Sequence, residues 1–236
     1  MNTALERTIV ALDNMNQEQI ESFVEKQKND IGFYKVGMQT FYRYGKDFFY
    51  HLHDKFNVQL FLDLKLHDIP NTVAGAIESL QGLPIKFLTL HLSGGVEMCK
   101  AAVEAKNKFL PNTKIIGVSL LTSLGQTQLN DIFSYTSTQQ KDEMIQRLSQ
   151  IAKISECDGM VCSAHEASSL SPMMTICPGI RFADEISEQK VQDQARVMTP
   201  RQAVEHGAHY LVIGRSLTKA KNITSRIAEL RKIKAI

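Results

Sequence analysis

Residues 61–73 read FLDLKLHDIPNTV, an apolar run broken by Asp63, Lys65 and Asp68. An unpaired buried charge is costly, so these groups require partners. A lysine held among carboxylates stays charged and positioned, and can then serve as an acid; unprotonated, it is a base or nucleophile. Which of these it does is not decided by residue type alone.

Strand geometry decides which charges meet. Side chains alternate between the two faces of a strand. In 58–65, Leu60, Leu62 and Leu64 share one face, while Phe61, Asp63 and Lys65 share the other. The same alternation leaves Lys35 with Gly37 opposite Tyr34, Val36 and Met38, and places Asp13 with Ile9 and Ala11. A ring of alternating charge is expected: Asp13, Lys35, Asp63, Lys65. Unlike charges about 4 Å apart attract by roughly 4 kcal/mol at an effective dielectric near 20. A purely structural ion cluster is the alternative, although buried ionic groups are an inefficient way to stabilise a core. Asp68 lies past the strand, before Pro70, and alternation does not fix its direction. A turn or helix N-cap role accounts for it as well as chemistry does.

A second group lies near the other end of the chain. Cys177-Pro178-Gly179-Ile180-Arg181 follows one apolar run and Ile213-Gly214-Arg215-Ser216 ends another. Glycines permit close backbone approach, and arginines offer planar, multi-donor charge to phosphate oxygens. At two adjacent rims, the pair points to phosphate binding.

The elements that must position these groups alternate along the chain. Strand candidates are 7–13, 32–38, 58–65, 86–92, 115–121, 159–163, 174–180 and 210–215, each followed by helix-like periodicity. Asn16 caps a helix carrying Ile20, Phe23 and Val24. Pro70 starts one carrying Val73, Ile77 and Leu80. Thr199-Pro-Arg-Gln202 reads as a capping box, with Gly207 as the stop. Ile223, Ile227, Leu230 and Ile233 form the last stripe. Eight strand–helix units imply an α/β fold, a closed (β/α)8 TIM barrel, as a single domain over 1–236. No G-x-G-x-x-G follows the first strand, so a dinucleotide site is not expected. Two polar stretches, 122–142 and 181–198, follow strands and belong at the C-terminal face. The first should hold two helical pieces; the second reads as a mobile binding loop.

Composition narrows the class. The chain has 236 residues, 43% hydrophobic and 22% charged, with a net charge of +2. That charge is too small to argue for nucleic acid or an anionic membrane. MNTALERTIVALD lacks a signal-peptide pattern, and no run of about 18 apolar residues suggests a membrane span. Four cysteines without a C-x-x-C pair read as reduced thiols, so a cytoplasmic location is expected. His51 and His53 fall two apart in a helical pattern and do not face each other, so no metal site is expected.

The D-x-K-x-x-D-I-P-x-T pattern of 63–72 resembles the signature of the orotidine 5′-phosphate decarboxylase family. ALD at strand one, KVG at strand two, LTS after strand five, PGIR after strand seven, DQ-x-R before TP, and VIGR at strand eight extend the resemblance, in order, over nearly the whole chain. It implies decarboxylation of orotidine 5′-phosphate to UMP and CO2, the last step of de novo UMP synthesis, with no metal or cofactor. It implies that Lys65 donates a proton to C6, within a network completed by Asp63 and Lys35. Asp13, Lys35 and Thr72 would contact the ribose, and Thr122 would lie near the base. Pro178 would line the substrate site; Arg181, Gln194, Gly214 and Arg215 would hold the phosphate or the loop over it. Asp68 and Thr72 would reach the neighbouring site of a homodimer. The stretch from Arg181 to Gln194 is longer than the family pattern, so Gln194 is assigned through DQ-x-R. HLSGG at 91–95 stands where HAAGG is common. Three other activities fit part of these residues. A sugar-phosphate barrel enzyme with a divalent metal shares the D-x-K-x-x-D core. A Schiff-base lyase would need a neutral Lys65, and a binding module would hold the nucleotide without turnover.

Overall fold

The computed structural model describes residues 2–134, 136–187 and 197–235. Eight parallel strands close into one barrel in sequence order. They are β1 (Thr8–Ala11), β2 (Phe33–Gly37), β3 (Gln59–Leu66), β4 (Ile85–His91), β5 (Lys114–Val118), β6 (Gly159–Val161), β7 (Met174–Cys177) and β8 (Tyr210–Ile213). All eight match expected strands, and the α/β barrel expected from the alternation is the observed fold. Several ends fall short of the expected bounds. Pro178 has no N–H to donate, so the β7 ladder cannot run on to residue 180. Arg215 opens a helix rather than closing β8.

The helices are α1 (Gln17–Gln27), α2 (Met38–Phe56), α3 (Pro70–Ser79), α4 (Gly95–Phe109), α5 (Gln126–Phe133), α6 (Thr138–Ile154), α7 (Ala183–Ser187), α8 (Pro200–Glu205), α9 (Arg215–Thr218) and α10 (Ile223–Lys232). Their caps follow from the sequence. Asn16 Oδ1 accepts from Gln19 N–H, and Thr199 with Gln202 closes a reciprocal box. Pro70 stands at the start of α3, where its missing donor costs nothing. Gly207, at φ +92°, makes the turn that ends α8. The polar 122–142 region contains α5 and the start of α6, as expected. Two local readings differ. The stretch between β6 and β7 carries only a 3₁₀ turn, Ala167–Leu170, because the connection is short and ends at Pro172. The charged stretch after β7 begins with α7, where the Glu185 carboxylate accepts the Phe182 N–H and Asp184 receives two bonds from Arg226. Most of the remainder of 181–198, including Gln194, lies outside the described residues.

Two apolar layers sit on either side of the sheet. Leu60, Leu62 and Leu64 of β3 join the layer between sheet and helices. Inside the barrel, Ile9, Ala11, Phe33, Phe61, Phe87, Ile116, Ile176 and Val212 form a separate cluster. Phe87 is its aromatic centre, 5.1 Å from Phe33, 5.7 Å from Phe61 and 5.2 Å from Tyr210, centroid to centroid. Phe61 and Tyr210 meet it edge to face and Phe33 is tilted, and ring pairs of this kind add to burial. This plug closes the barrel from below, so inward side chains farther along the strands end in a floor. Truncating Phe87→Ala should destabilise the fold by about 3–5 kcal/mol. Urea denaturation of the two proteins measures that difference.

Candidate active site

The C-terminal rim is built from strand ends, and β3 supplies most of its chemistry. Asp63 and Lys65 point inward above Phe61, as alternation requires. The strand is not regular there. Leu62 pairs with Leu88, but Leu66 pairs with Leu90. Asp63, Leu64 and Lys65 therefore stand opposite the single residue Thr89. Such a bulge bends a strand and re-aims a side chain. Lys65 takes the strain, with φ at +50°, a conformation that L-residues rarely adopt.

The charges form one connected chain. Lys35 Nζ donates to Asp13 Oδ2 at 2.8 Å and lies 3.3 Å from Asp63 Oδ2. Lys65 Nζ donates to the same Asp63 Oδ2 at 2.8 Å. The Thr89 hydroxyl donates to Asp63 Oδ1 at 2.9 Å. Asp63 thus has one oxygen between two ammoniums and the other on a neutral donor. Lys35 and Asp63 are both buried, with side chains 10% exposed, while Lys65 opens partly to the cavity at 27%. Gly37 leaves the space this arrangement needs. A Cβ there would stand 2.7 Å from Asp13 Oδ1.

Burial and charge oppose each other in this network, and charge prevails. Burial alone would lift the Asp63 carboxyl, but Lys35, Lys65 and the Thr89 bond hold it below the usual carboxylate range. Burial would lower Lys35, but Asp63 and Asp13 hold it above the usual lysine range. Both groups are therefore ionised at neutral pH. His91, at the end of β4, is pushed down by burial, then by His67 and Lys65, against the pull of Asp63. It adds no positive charge beside the lysine at neutral pH.

A cavity of about 310 Å³ opens over this network. Of the residues singled out from sequence, Asp13, Lys35, Asp63, Lys65, Thr122, Pro178, Arg181, Gly214 and Arg215 all line it. Lysines from β2 and β3 lie on one side, and arginines that follow β7 and β8 lie on the other. A small anionic molecule can span them. Asp68 and Thr72 are not part of this lining. Both are exposed, and Asp68 Oδ1 accepts the Ile69 N–H at 2.7 Å. The two ends of the stretch after β7 are pinned to each other: Arg181 N–H donates to Met198 O, and Met198 N–H to Gly179 O. Sequence reading missed Asn14, Leu120, Leu121 and Thr218, which also line the cavity. Leu120 is legible only as the tail of an apolar run, and Leu121 only as the first letter of LTS. His51 and His53 serve separate partners, Glu21 and the Val58 carbonyl. No cluster of three or more metal-ligating side chains occurs among the described residues. No helix among them is long and apolar enough to cross a membrane.

Comparison with known proteins gives a consistent set of relatives. Residues 6–230 match the family described as Orotidine 5′-phosphate decarboxylase / HUMPS. The sequence is 39% identical over 223 residues to the orotidine 5′-phosphate decarboxylase of Bacillus cereus (strain AH820), covering 91% of both proteins. It is 38% identical over 223 residues to that of Bacillus mycoides (strain KBAB4), again covering 91% of both. The crystal structure of orotidine 5′-phosphate decarboxylase from Lactobacillus acidophilus superposes with a TM-score of 0.79 at 32% identity, covering 96% of this chain and 98% of that one.

The network has a pH signature. A carboxyl whose folded pKa is depressed stabilises the fold above its unfolded pKa, and that contribution is lost as pH falls through the folded value. Asp63→Asn should therefore melt well below the wild type at neutral pH, because the buried Lys35 keeps only Asp13 and Lys65 loses its anion. The gap should narrow on acidification, as the wild-type carboxylate is protonated in turn. Melting temperatures of both proteins across the acid range test this; a gap independent of pH would contradict it.

Proposed function

The chain belongs to the orotidine 5′-phosphate decarboxylase / HUMPS family, and we propose that it converts orotidine 5′-phosphate to UMP and CO2, with Lys65 protonating C6. It is thereby a carboxy-lyase of the last step of UMP synthesis. The observation that carries this reading is the ammonium of Lys65, held 2.8 Å from Asp63 at the floor of a cavity whose far rim carries Arg181 and Arg215.

In this reading the phosphate sits against Arg215, Arg181 and Gly214, with Gln194 contributed by the loop. Asp13 and Lys35 take ribose hydroxyls, and Thr122 and Pro178 border the base. The pyrimidine then lies over Lys65. The bond from C6 to the carboxylate carbon breaks, its electron pair stays on C6, and CO2 departs. A fixed ammonium stabilises that developing charge before it forms, without reorganising. The Lys65 proton passes to C6, and the amine regains a proton from solvent. Asp63 keeps the lysine charged until that moment and holds it in place. Binding energy from the distant phosphate helps to close the site and exclude water. No cofactor or metal is invoked, because the two lysines supply the positive charge.

Asp68 and Thr72 act in the neighbouring site of a homodimer. Their exposure supports this, as does the neighbouring Ile69, an apolar side chain 67% exposed. The enzyme is proposed to act in the cytoplasm on this small nucleotide alone, with no role for nucleic acid or membrane.

Lys65→Ala should lose nearly all turnover in an ultraviolet assay of orotidine 5′-phosphate, while UMP binding by calorimetry is retained. Wild-type activity in that variant would sink the assigned role. Lys65→Ala and Asp68→Ala, each inactive alone, should recover activity when mixed, because hybrid dimers contain one intact site. No recovery after demonstrated subunit exchange would rule out the shared site.

A further inference from the structure

We infer that Thr89 is a positioning residue for the reaction, fixing Lys65 and Asp63 together through one hydroxyl. The inference rests on the reading of Lys65 as proton donor. Thr89 is fully buried in β4 and does not line the cavity. It stands alone opposite the three bulged residues of β3. Its Oγ1 accepts the backbone N–H of Lys65 at 2.9 Å and donates its own proton to Asp63 Oδ1 at 2.9 Å. The hydroxyl's single proton is committed to Asp63 and a lone pair to Lys65, so the bond directions are fixed.

Both contacts act on the lysine. The first gives the backbone N–H of the bulged Lys65 a partner, and it holds Lys65 at φ +50°. Strained backbone of this kind persists only where its surroundings over-determine it. The second orients the carboxylate whose other oxygen receives Lys65 Nζ at 2.8 Å. The ammonium is thus aimed from its backbone and from its partner by the same side chain. A hydrophobic isostere at residue 89 would leave the Lys65 N–H and Asp63 Oδ1 without this partner, and the amine would wander from its line to C6. Distances at a reacting centre matter at this scale.

The test compares Thr89→Val, which keeps shape and loses the hydroxyl, with Thr89→Ser, which keeps the hydroxyl. Thr89→Val should lower kcat by about 10- to 100-fold with KM and UMP affinity close to wild type. Thr89→Ser should restore most of kcat. A Thr89→Val enzyme within about twofold of wild-type kcat would overturn the inference. So would equal impairment of the serine variant, or a loss in KM alone. If Thr89→Val does not fold, Thr89→Ala takes its place. Failure of both to fold, with Thr89→Ser intact, would make the hydroxyl a folding group and overturn the inference. Lys65→Ala is run alongside. An active Lys65→Ala would sink the proton-donor reading, whereas an inactive one beside an active Thr89→Val would sink this inference alone.

Discussion

One carboxylate between two ammoniums is the constraint around which the rim is built. Asp63 Oδ2 meets Lys65 at 2.8 Å and Lys35 at 3.3 Å. Two positive charges this close repel, and only the shared anion makes the arrangement tolerable. Asp13 supplies a second anion on the outer side of Lys35. Order along the row then follows: minus, plus, minus, plus, from β1 through β2 to β3. The last member, Lys65, is the one that faces the cavity with least screening from a partner beyond it. A charged group at the end of such a row is available to a substrate without being free to move.

The barrel makes this row possible in two ways. Its aromatic plug around Phe87 removes water from beneath the charges, which strengthens every attraction above it. Its parallel register sets Lys35 beside Phe61 and Gly37 beside Asp63, so the long Lys35 side chain rises past Gly37 to bring its ammonium level with the Asp63 carboxylate. At Gly37 a Cβ would press on the Asp13 carboxylate and displace it from Lys35. The opposite rim is organised by chain ends rather than ladders. Pro178 stops β7, and the backbone then closes on Met198, so Arg181 springs from a pinned base. Arg226 clamps Asp184 and stacks on Phe182 at 4.2 Å, fastening α7 to the last helix.

Much of this was legible in the sequence because its signals are local. Period-two alternation located the inward charges. Caps at Asn16 and Thr199 and the proline of Pro70 located helix starts. The family pattern of 63–72 added what alternation lacked, a reason for Asp68. Other features were hidden for physical reasons. Alternation assumes a regular pleat, so it could not reveal that three residues of β3 oppose one of β4. Thr89 was overlooked because a β-branched residue in an apolar run reads as an ordinary strand former. Its partners lie more than twenty positions away. The general strand–helix alternation implies a helix before β7, where only the 3₁₀ turn Ala167–Leu170 fits. Arg226 and Asp184, far apart in the chain, carry no sequence mark of their pairing.

The bulge also accounts for the division of labour within 63–72. Had β3 stayed regular, residue 65 would continue the pleat and the strand would run straight toward the loop. With Lys65 in the left-handed region, the chain turns at that residue, and Leu66 resumes pairing with Leu90. Asp68 and Ile69 then emerge on the outer rim, exposed, rather than over the cavity. A carboxylate only five positions beyond Asp63 is thereby carried away from the row of charges instead of joining it. Directed outward, it can complete a second copy's site, where the local lysine is already paired with its own Asp63. The same distortion that aims the lysine inward therefore sends the aspartate outward, and one strained residue serves both ends of the proposed dimer.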